Sequence, residues 1–244
     1  MAYYGAAHTA GLGVLGQGTP DDAWARLSSQ AAEYDGGGAV VLPAYELIAT
    51  IADATPGPDG MYRSRSDDSL IQPYLDSARR HHVLLILDIQ PGRSDFLTEA
   101  KVYQKWLAQP DVALALDPEW RMGSDEVPGE KIGGVDASEI NATASWLEGL
   151  VVADNLPQKL LLIHQFTNGM IRDKSSLSIP PRLAAVVNMD GFGGQAAKLS
   201  KYHLFAADTR YPMGLKLFYR QDIDLMSPSQ VIGLSPSPAV IEYE

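Results

Sequence analysis

Asp117 and Glu119 stand two residues apart at the end of a short apolar run, Val112–Leu116, with Pro118 between them and Trp120 next. Side chains along a strand point alternately to opposite faces. Val112, Leu114 and Leu116 are therefore expected on one face, and Ala113, Ala115, Asp117 and Glu119 on the other. Pro118 cannot donate a backbone hydrogen bond, so strand pairing should end there. Residues i and i+2 of a strand lie about 6.5–7 Å apart at Cα. Two acids at that distance push their pKa values apart, leaving one protonated while the other stays ionised. The spacing points to carboxylate acid–base catalysis, with Glu119 as general acid, Asp117 supporting the reacting centre, and Asp190 or Asp88 assisting. The plain structural alternative is that Asp117 caps the following loop and Glu119 pairs with Arg121 or Arg93.

Polar residues end nearly every other apolar run, where a purely structural strand needs no charge. They are Tyr4 and His8, then Tyr45 and Glu46, then Asp88, Gln90 and Arg93, then His164 and Gln165, then Asn188 and Asp190, then Lys216, Tyr219, Gln221 and Asp222, and finally Glu242 and Tyr243. Of these Tyr4, His8, Glu46, Gln90, Arg93, His164, Gln165, Asn188, Lys216 and Tyr219, with Trp120, are read as substrate-binding positions, and Trp120, Tyr4 and Tyr219 as rings on which a sugar would stack. Trp24, at apolar spacing in a helix, is read as core. Two other chemistries compete. Asp88, Asp117, Glu119, His164 and Asp190 could converge on a hard divalent cation in a hydrolase or phosphodiesterase, although no H-x-H or H-E-x-x-H spacing supports it. Lys216, buried with a lowered pKa, could form a Schiff base in a lyase. No metal and no cofactor is expected. A barrel that binds glycan without cleaving it is the non-enzymatic alternative.

The elements that must position these residues alternate. Strand-like runs are expected over residues 2–6, 39–43, 83–88, Val112–Leu116, 159–164, 184–188, 215–218 and 239–243. Helices are expected over 23–34, 67–81, 95–107, 136–153 and near 195–202, with a short one behind the Ser227-Pro228-Ser229-Gln230 cap. Eight mostly apolar runs alternating with helices imply a parallel sheet covered on its outside. A chain of 244 residues matches the roughly 250 typical of a (β/α)8 barrel. The expectation is one α/β domain, residues 1–244, a single TIM-type barrel lacking its last helix; a doubly wound open sheet is the runner-up. Gly11, Gly13 and Gly16 have the spacing of a dinucleotide loop, but they sit beyond the first strand and do not open directly into a helix. They are read as a loop at the barrel mouth.

The formal net charge of −11, without a basic cluster, argues against nucleic acid and anionic membranes as partners. No apolar run reaches the roughly 18–20 residues that span a bilayer. There is no cysteine, which excludes disulfides, thiolate metal sites and a cysteine nucleophile. No signal peptide is visible, which fits a cytoplasmic protein or one whose targeting segment lies outside this sequence. The expected partner is a carbohydrate or other small molecule, and the oligomeric state is open.

Leu116-Asp117-Pro118-Glu119 on a fourth barrel strand resembles the D-x-E signature of (β/α)8 glycoside hydrolases of families 18 and 25. In family 18 the Glu is the general acid, and the Asp helps a substrate N-acetyl group to act as nucleophile. The further upstream aspartates of that motif are replaced by Ala113 and Ala115, and Asn188-Met189-Asp190 matches the strand-six partner only loosely. The chain also resembles a group of uncharacterised bacterial, chiefly actinobacterial, secreted or lipoprotein sequences. That likeness rests on Leu-Gly-Val-Leu-Gly at 12–16, Asp-Ile-Gln-Pro-Gly-Arg at 88–93, Leu-Asp-Pro-Glu-Trp-Arg-Met at 116–122 and Lys-Leu-Phe-Tyr at 216–219. These resemblances imply a glycoside hydrolase acting on a polysaccharide or cell-wall glycan, outside the cell or in its envelope.

Overall fold

A computed structural model describes residues 1–7, 9–34 and 40–244. In chain order its strands and helices are β1 (Ala2–Gly5), α1 (Pro20–Ala32), β2 (Ala44–Ala52), β3 (Arg63–Arg65), α2 (Asp68–His81), β4 (Leu84–Ile89), α3 (Phe96–Val102), α4 (Gln104–Leu107) and β5 (Val112–Leu116). There follow β6 (Val135–Asp136), α5 (Ala137–Ala153), β7 (Lys159–Gln165), β8 (Ile171–Arg172), β9 (Leu183–Met189), α6 (Gln195–Ala207), β10 (Met213–Leu217), α7 (Pro228–Ile232) and β11 (Val240–Tyr243). The main sheet has the order β1-β11-β10-β9-β7-β5-β4-β2-β3, and β1 also pairs with β2. That second pairing, Ala2 opposite Ala44 through Gly5 opposite Leu47, closes eight parallel strands into a barrel. β3 runs antiparallel along the far end of β2, and β6 with β8 forms a separate small ladder.

Contacts divide the chain into two compact units. The first comprises Met1–Leu47, Asp68–Leu85 and Val186–Glu244; the second comprises Ile48–Asp67 and Ile86–Ala185. In the first, α1 starts where a capping box demands it. The Thr19 hydroxyl accepts from the Asp22 N–H at 3.1 Å, the Asp22 carboxylate accepts from the Thr19 N–H at 2.8 Å, and Pro20 fills the first turn. The same device, Ser227 with Gln230, starts α7. Tyr45 packs edge-on against Tyr74 and donates to the Pro20 carbonyl at 3.1 Å, fastening the start of α1 to the sheet. The glycine-rich loop folds as two short 3-10 turns over β1. A Cβ on Gly13, whose φ is +102°, would lie 2.3 Å from the Tyr4 carbonyl oxygen, and one on Gly16 would lie 2.1 Å from that of Ala6. These glycines permit close packing of backbone on backbone.

In the second unit β5 packs beside β7 in parallel register, Leu114 opposite Leu161 and Leu116 opposite Ile163. The helix expected over 95–107 is two helices. At Tyr103 the backbone leaves helical geometry (φ −97°, ψ 15°), and its phenol, buried, donates to the Ala49 carbonyl at 2.6 Å and accepts from Thr50. The strand expected over 39–43 is misplaced. Ala39 lies outside the described residues, Val40 and Leu42 are exposed, and the strand is Ala44–Ala52. Glu46 in its middle broke up the apolar pattern; it is buried with the rest of the strand. At α5 the expected Asp136 cap does not form. Its carboxylate turns to Arg172 at 2.5 Å, and Glu139 bonds Arg121 and the Phe96 N–H instead.

Candidate functional site

The Asp117–Glu119 pair is not two acids on one strand face. β5 stops at Leu116, and residues 118–120 turn as a 3-10 helix with Asp117 as its N-cap, the carboxylate accepting the Glu119 N–H at 3.3 Å. Pro118 in the first turn favours this geometry over continued strand. Asp117 is buried while Glu119 and Trp120 are half-exposed on the turn. The proposed partners of Glu119 are committed elsewhere. Arg121 pairs with Glu139 at 3.0 Å, while Arg93 lies 4.0 Å over the Tyr62 ring and donates to the Glu126 carbonyl.

The second unit gathers a different set. The β5–β7 register runs to Leu116 opposite Ile163, and Asp117 and His164 are the next residues along the two segments. Asp88, at the end of β4, and His164 each offer a polar atom, the two within 4.8 Å of one another. β5 lies between β4 and β7 in the sheet. The strand between them carries only alanines on one of its faces, Ala113 and Ala115. All three polar groups are 0–1% exposed. A carboxylate and an imidazole this close, in a dry setting, suit either a shared divalent cation or the holding and passing of a proton. Of the neighbouring amides, Gln90 accepts the Ala52 N–H at 3.1 Å, and Gln165 donates to the Thr167 carbonyl at 3.2 Å.

The first unit gathers Tyr4, Asn188, Asp190, Lys216, Glu242 and Glu244 on one sheet face. Lys216 stands opposite Glu242, and Gly214 opposite Asn188. The Lys216 ammonium, fully buried, lies 3.2 Å from Asp190, 3.3 Å from Glu242, 2.9 Å from Glu244 and 3.4 Å from the centre of the Tyr4 ring. Asn188 donates to Glu242 at 2.5 Å. Burial works to strip the proton from Lys216, but Asp190, Glu242, Glu244 and Tyr4 outweigh it and hold the ammonium well above the ordinary lysine range. A Schiff base needs the neutral amine, so the lyase lysine considered from sequence is a locked cation. Asp190 and Tyr4 are likewise occupied by Lys216. Tyr4 is buried beneath the ammonium and offers no stacking face.

Glu46 ends up opposite Tyr4 in the β1–β2 register, wholly buried. Tyr219 lies on an exposed groove and donates to Gln30 at 2.9 Å. Trp24 stacks on His81. His8 lies outside the described residues. Sequence reasoning missed the Lys198–Asp222 pair, 2.7 Å apart and 2% exposed at each side chain. Asp222 also accepts the Gly193 and Phe218 N–H groups, tying the loops after β9 and β10 together. Missed too was Glu99, buried on α3 between Arg63 and Arg65 at 3.0 and 2.7 Å. In sequence Glu99 looks like an ordinary helix residue, and Asp222 stands out only as one more polar residue after the seventh strand, with nothing to point to Lys198. Nor does the Arg-x-Arg of β3 point to Glu99, because Asp59, Asp67 and Asp68 lie closer along the chain.

No family model matches the chain, and no curated protein matches it. Among solved structures it is similar to a 2,3-dimethylmalate lyase, a PEP mutase/isocitrate lyase superfamily member. The two are 11% identical, with a TM-score of 0.44, over 93% of this chain and 81% of that one. The expectation of a glycoside hydrolase is corrected on the geometry of the pair that carried it: Asp117 is a cap and Glu119 lies on the 3-10 turn that follows, so the two are not paired acids on one strand face. Among the described residues no helix is long and apolar enough to cross a membrane.

Proposed function

We propose that the protein is an enzyme of general acid–base chemistry, in which His164, held beside Asp88, takes up and returns a proton at a carbon or oxygen next to a carbonyl group. The observation that carries this reading is the approach of Asp88 and His164 to within 4.8 Å at the C-terminal ends of β4 and β7, where barrel enzymes keep their chemistry. A buried carboxylate beside an imidazole fixes its orientation and stabilises the imidazolium that forms on proton uptake. Asp117, buried just past the end of the intervening β5, is a second carboxylate at the same ends of the strands. A thiolate nucleophile is ruled out because the chain has no cysteine, and Lys216 as a Schiff-base amine because it keeps its proton. What such a site does well is proton abstraction and return, the step shared by eliminations, carbon–carbon cleavages of hydroxylated acids and isomerisations.

The test is solvent exchange. Small 2-oxo and 2-hydroxy acids are incubated with the protein in deuterated water and followed by proton NMR. The wild type is expected to wash deuterium into at least one of them. His164→Asn and Asp88→Asn are expected to slow this by about 10²–10⁴-fold, the usual contribution of a positioned acid or base. Exchange that proceeds equally well in the His164→Asn protein would remove His164 from the chemistry and end the proposal.

A further inference from the structure

A groove of about 670 Å³ runs along the first unit between α1, the 3-10 turns after β1 and the loop after β10. Its size falls within the range of small-molecule sites. Tyr3 and Tyr219 supply aromatic surface, and their hydroxyls are held in a fixed chain. Tyr3 and Tyr219 meet at 3.4 Å, Tyr219 donates to Gln30 at 2.9 Å, and Gln30 in turn donates to Glu33 at 3.1 Å. Behind Tyr219 the ring of Tyr243 stacks at 5.1 Å, so the exposed phenol has a firm backing.

The charges in the lining are unequal in how they are used. Glu244 is taken up by Lys216 at 2.9 Å, and Glu33 accepts from Gln30. The two guanidiniums of the groove, Arg26 and Arg220, have no carboxylate within ion-pair distance among the described residues. Arg26 spends a single nitrogen, Nη2, on the Val14 and Gln17 carbonyls at 3.0 and 2.8 Å. Those two bonds fix the plane of its guanidinium and leave its other donors for a ligand. In a chain with a net charge of −11, the groove thus brings two arginines, one of them fixed by its carbonyl bonds, to the same lining as Tyr3 and Tyr219. A fixed guanidinium matches a carboxylate geometrically, and a phenol face matches a planar ring.

We infer that this groove is a binding site for a small planar acid, an aromatic carboxylate, with the ring against Tyr219 and the carboxylate on Arg26 and Arg220. It is a site separate in its residues from the Asp88–His164 pair and does not depend on the reading of that pair.

Titration calorimetry of the full chain tests it, using benzoate and 4-hydroxybenzoate as probes, with benzyl alcohol and benzylamine as the neutral and cationic counterparts. Saturable one-to-one binding of the acids at or below about 1 mM, weakening with added salt, is expected. Binding of the alcohol or amine is expected to be at least about tenfold weaker, the discrimination of one charge-assisted hydrogen bond. Arg220→Gln is the cleaner variant, because Arg220 is exposed, whereas Arg26 also holds the Val14 and Gln17 carbonyls. Together with Arg26→Gln it is expected to lower affinity for benzoate by about tenfold or more, and Tyr219→Leu should weaken both acids alike. No saturable binding of either acid, equal binding of the alcohol, or an unchanged affinity in Arg220→Gln and in the double variant would each overturn the inference. A circular-dichroism melt of each variant shows that a lost affinity is not lost folding.

Discussion

Replacing Lys216 with methionine keeps most of the side-chain volume and deletes the charge, which makes it a direct probe of the buried cluster. Three carboxylates share that ammonium, and their side chains are 9% exposed for Asp190, 0% for Glu242 and 21% for Glu244. Breaking a buried ion pair from one side leaves the other charge uncompensated and costs about 3–5 kcal/mol. For a chain of this size the loss corresponds to a fall in Tm of roughly 6–20 °C. The pH dependence has a definite sign. In the wild type the lysine pKa is raised in the fold, so its contribution is complete below the ordinary value of 10.5 and is lost only as pH climbs through the raised one. In Lys216→Met the stranded acids become harder to ionise, so their folded pKa values rise above the unfolded ones. Protonation then favours the fold, and the deficit relative to wild type is expected to shrink as pH falls from 7 towards 4. Adding Asp190→Asn should restore part of the stability at pH 7. Urea unfolding of the three proteins, followed by tryptophan fluorescence at both pH values, measures all of this. A deficit below about 1 kcal/mol, or one that is the same at pH 7 and pH 4, would show that the cluster is hydrated and that the argument from burial fails.

Three further outcomes are expected. Gly214→Ala would bring a Cβ to 2.4 Å from the Asn188 side-chain oxygen and 3.3 Å from its Cα. The side chain must move and strain its bond to Glu242, so calorimetry should show a loss of about 1–3 kcal/mol, and an unchanged melt would contradict the packing. Glu99→Gln removes the charge shared by Arg63 and Arg65. Burial alone would raise the Glu99 pKa, but bonds from Arg65, Ser94 and Arg63 hold it below the usual carboxylate range. Its contribution is therefore complete above the unfolded value of 4.5 and is lost as pH falls through the lowered one. The variant should be about 3–5 kcal/mol less stable at pH 7 and approach wild type in acid, and parallel stability curves would refute this. Ala115→Leu should fill the space over β5 and slow deuterium exchange without touching substrate itself, and full activity with a leucine there would mean that Asp88 and His164 do not meet over Ala115.

The barrel was legible because its strands are buried on both sides and so read as unbroken apolar runs, Val112–Leu116 and the Leu-Leu-Ile-Leu stretch of β4 above all. Where a strand carries a buried charge the reading slipped. Glu46 hid β2 and shifted the expected strand by several residues, although a wholly buried glutamate is what an inward-facing functional position looks like. Helix starts with reciprocal caps, Thr19 with Asp22 and Ser227 with Gln230, were readable because all the partners lie within four residues. The Asp136–Glu139 box failed for the opposite reason. Arg172 of β8 and Arg121 lie outside the local window, 36 and 18 residues from the acids they bind, and Asp136 gives its carboxylate to the charged partner rather than to a backbone N–H of its own helix.

The site shows the same division between local and distant information. That strand-end residues Asp88, His164, Asn188, Asp190, Lys216 and Glu242 carry the polar character was visible, because each breaks an apolar run. Which of them meet was not, since partnership depends on register and on strand order, and neither is written in local spacing. Asp117 and Glu119 were adjacent on paper and part company at the turn that Pro118 favours. Asp88 and His164 are 76 residues apart in a chain whose strand order brings β4 and β7 to either side of β5. The alanines at 113 and 115, which counted against a glycosidase motif because acids were wanted there, lie on the strand between the two. If the two side chains meet over those alanines, a larger residue at Ala115 is expected to hold them apart, which is the outcome that Ala115→Leu measures.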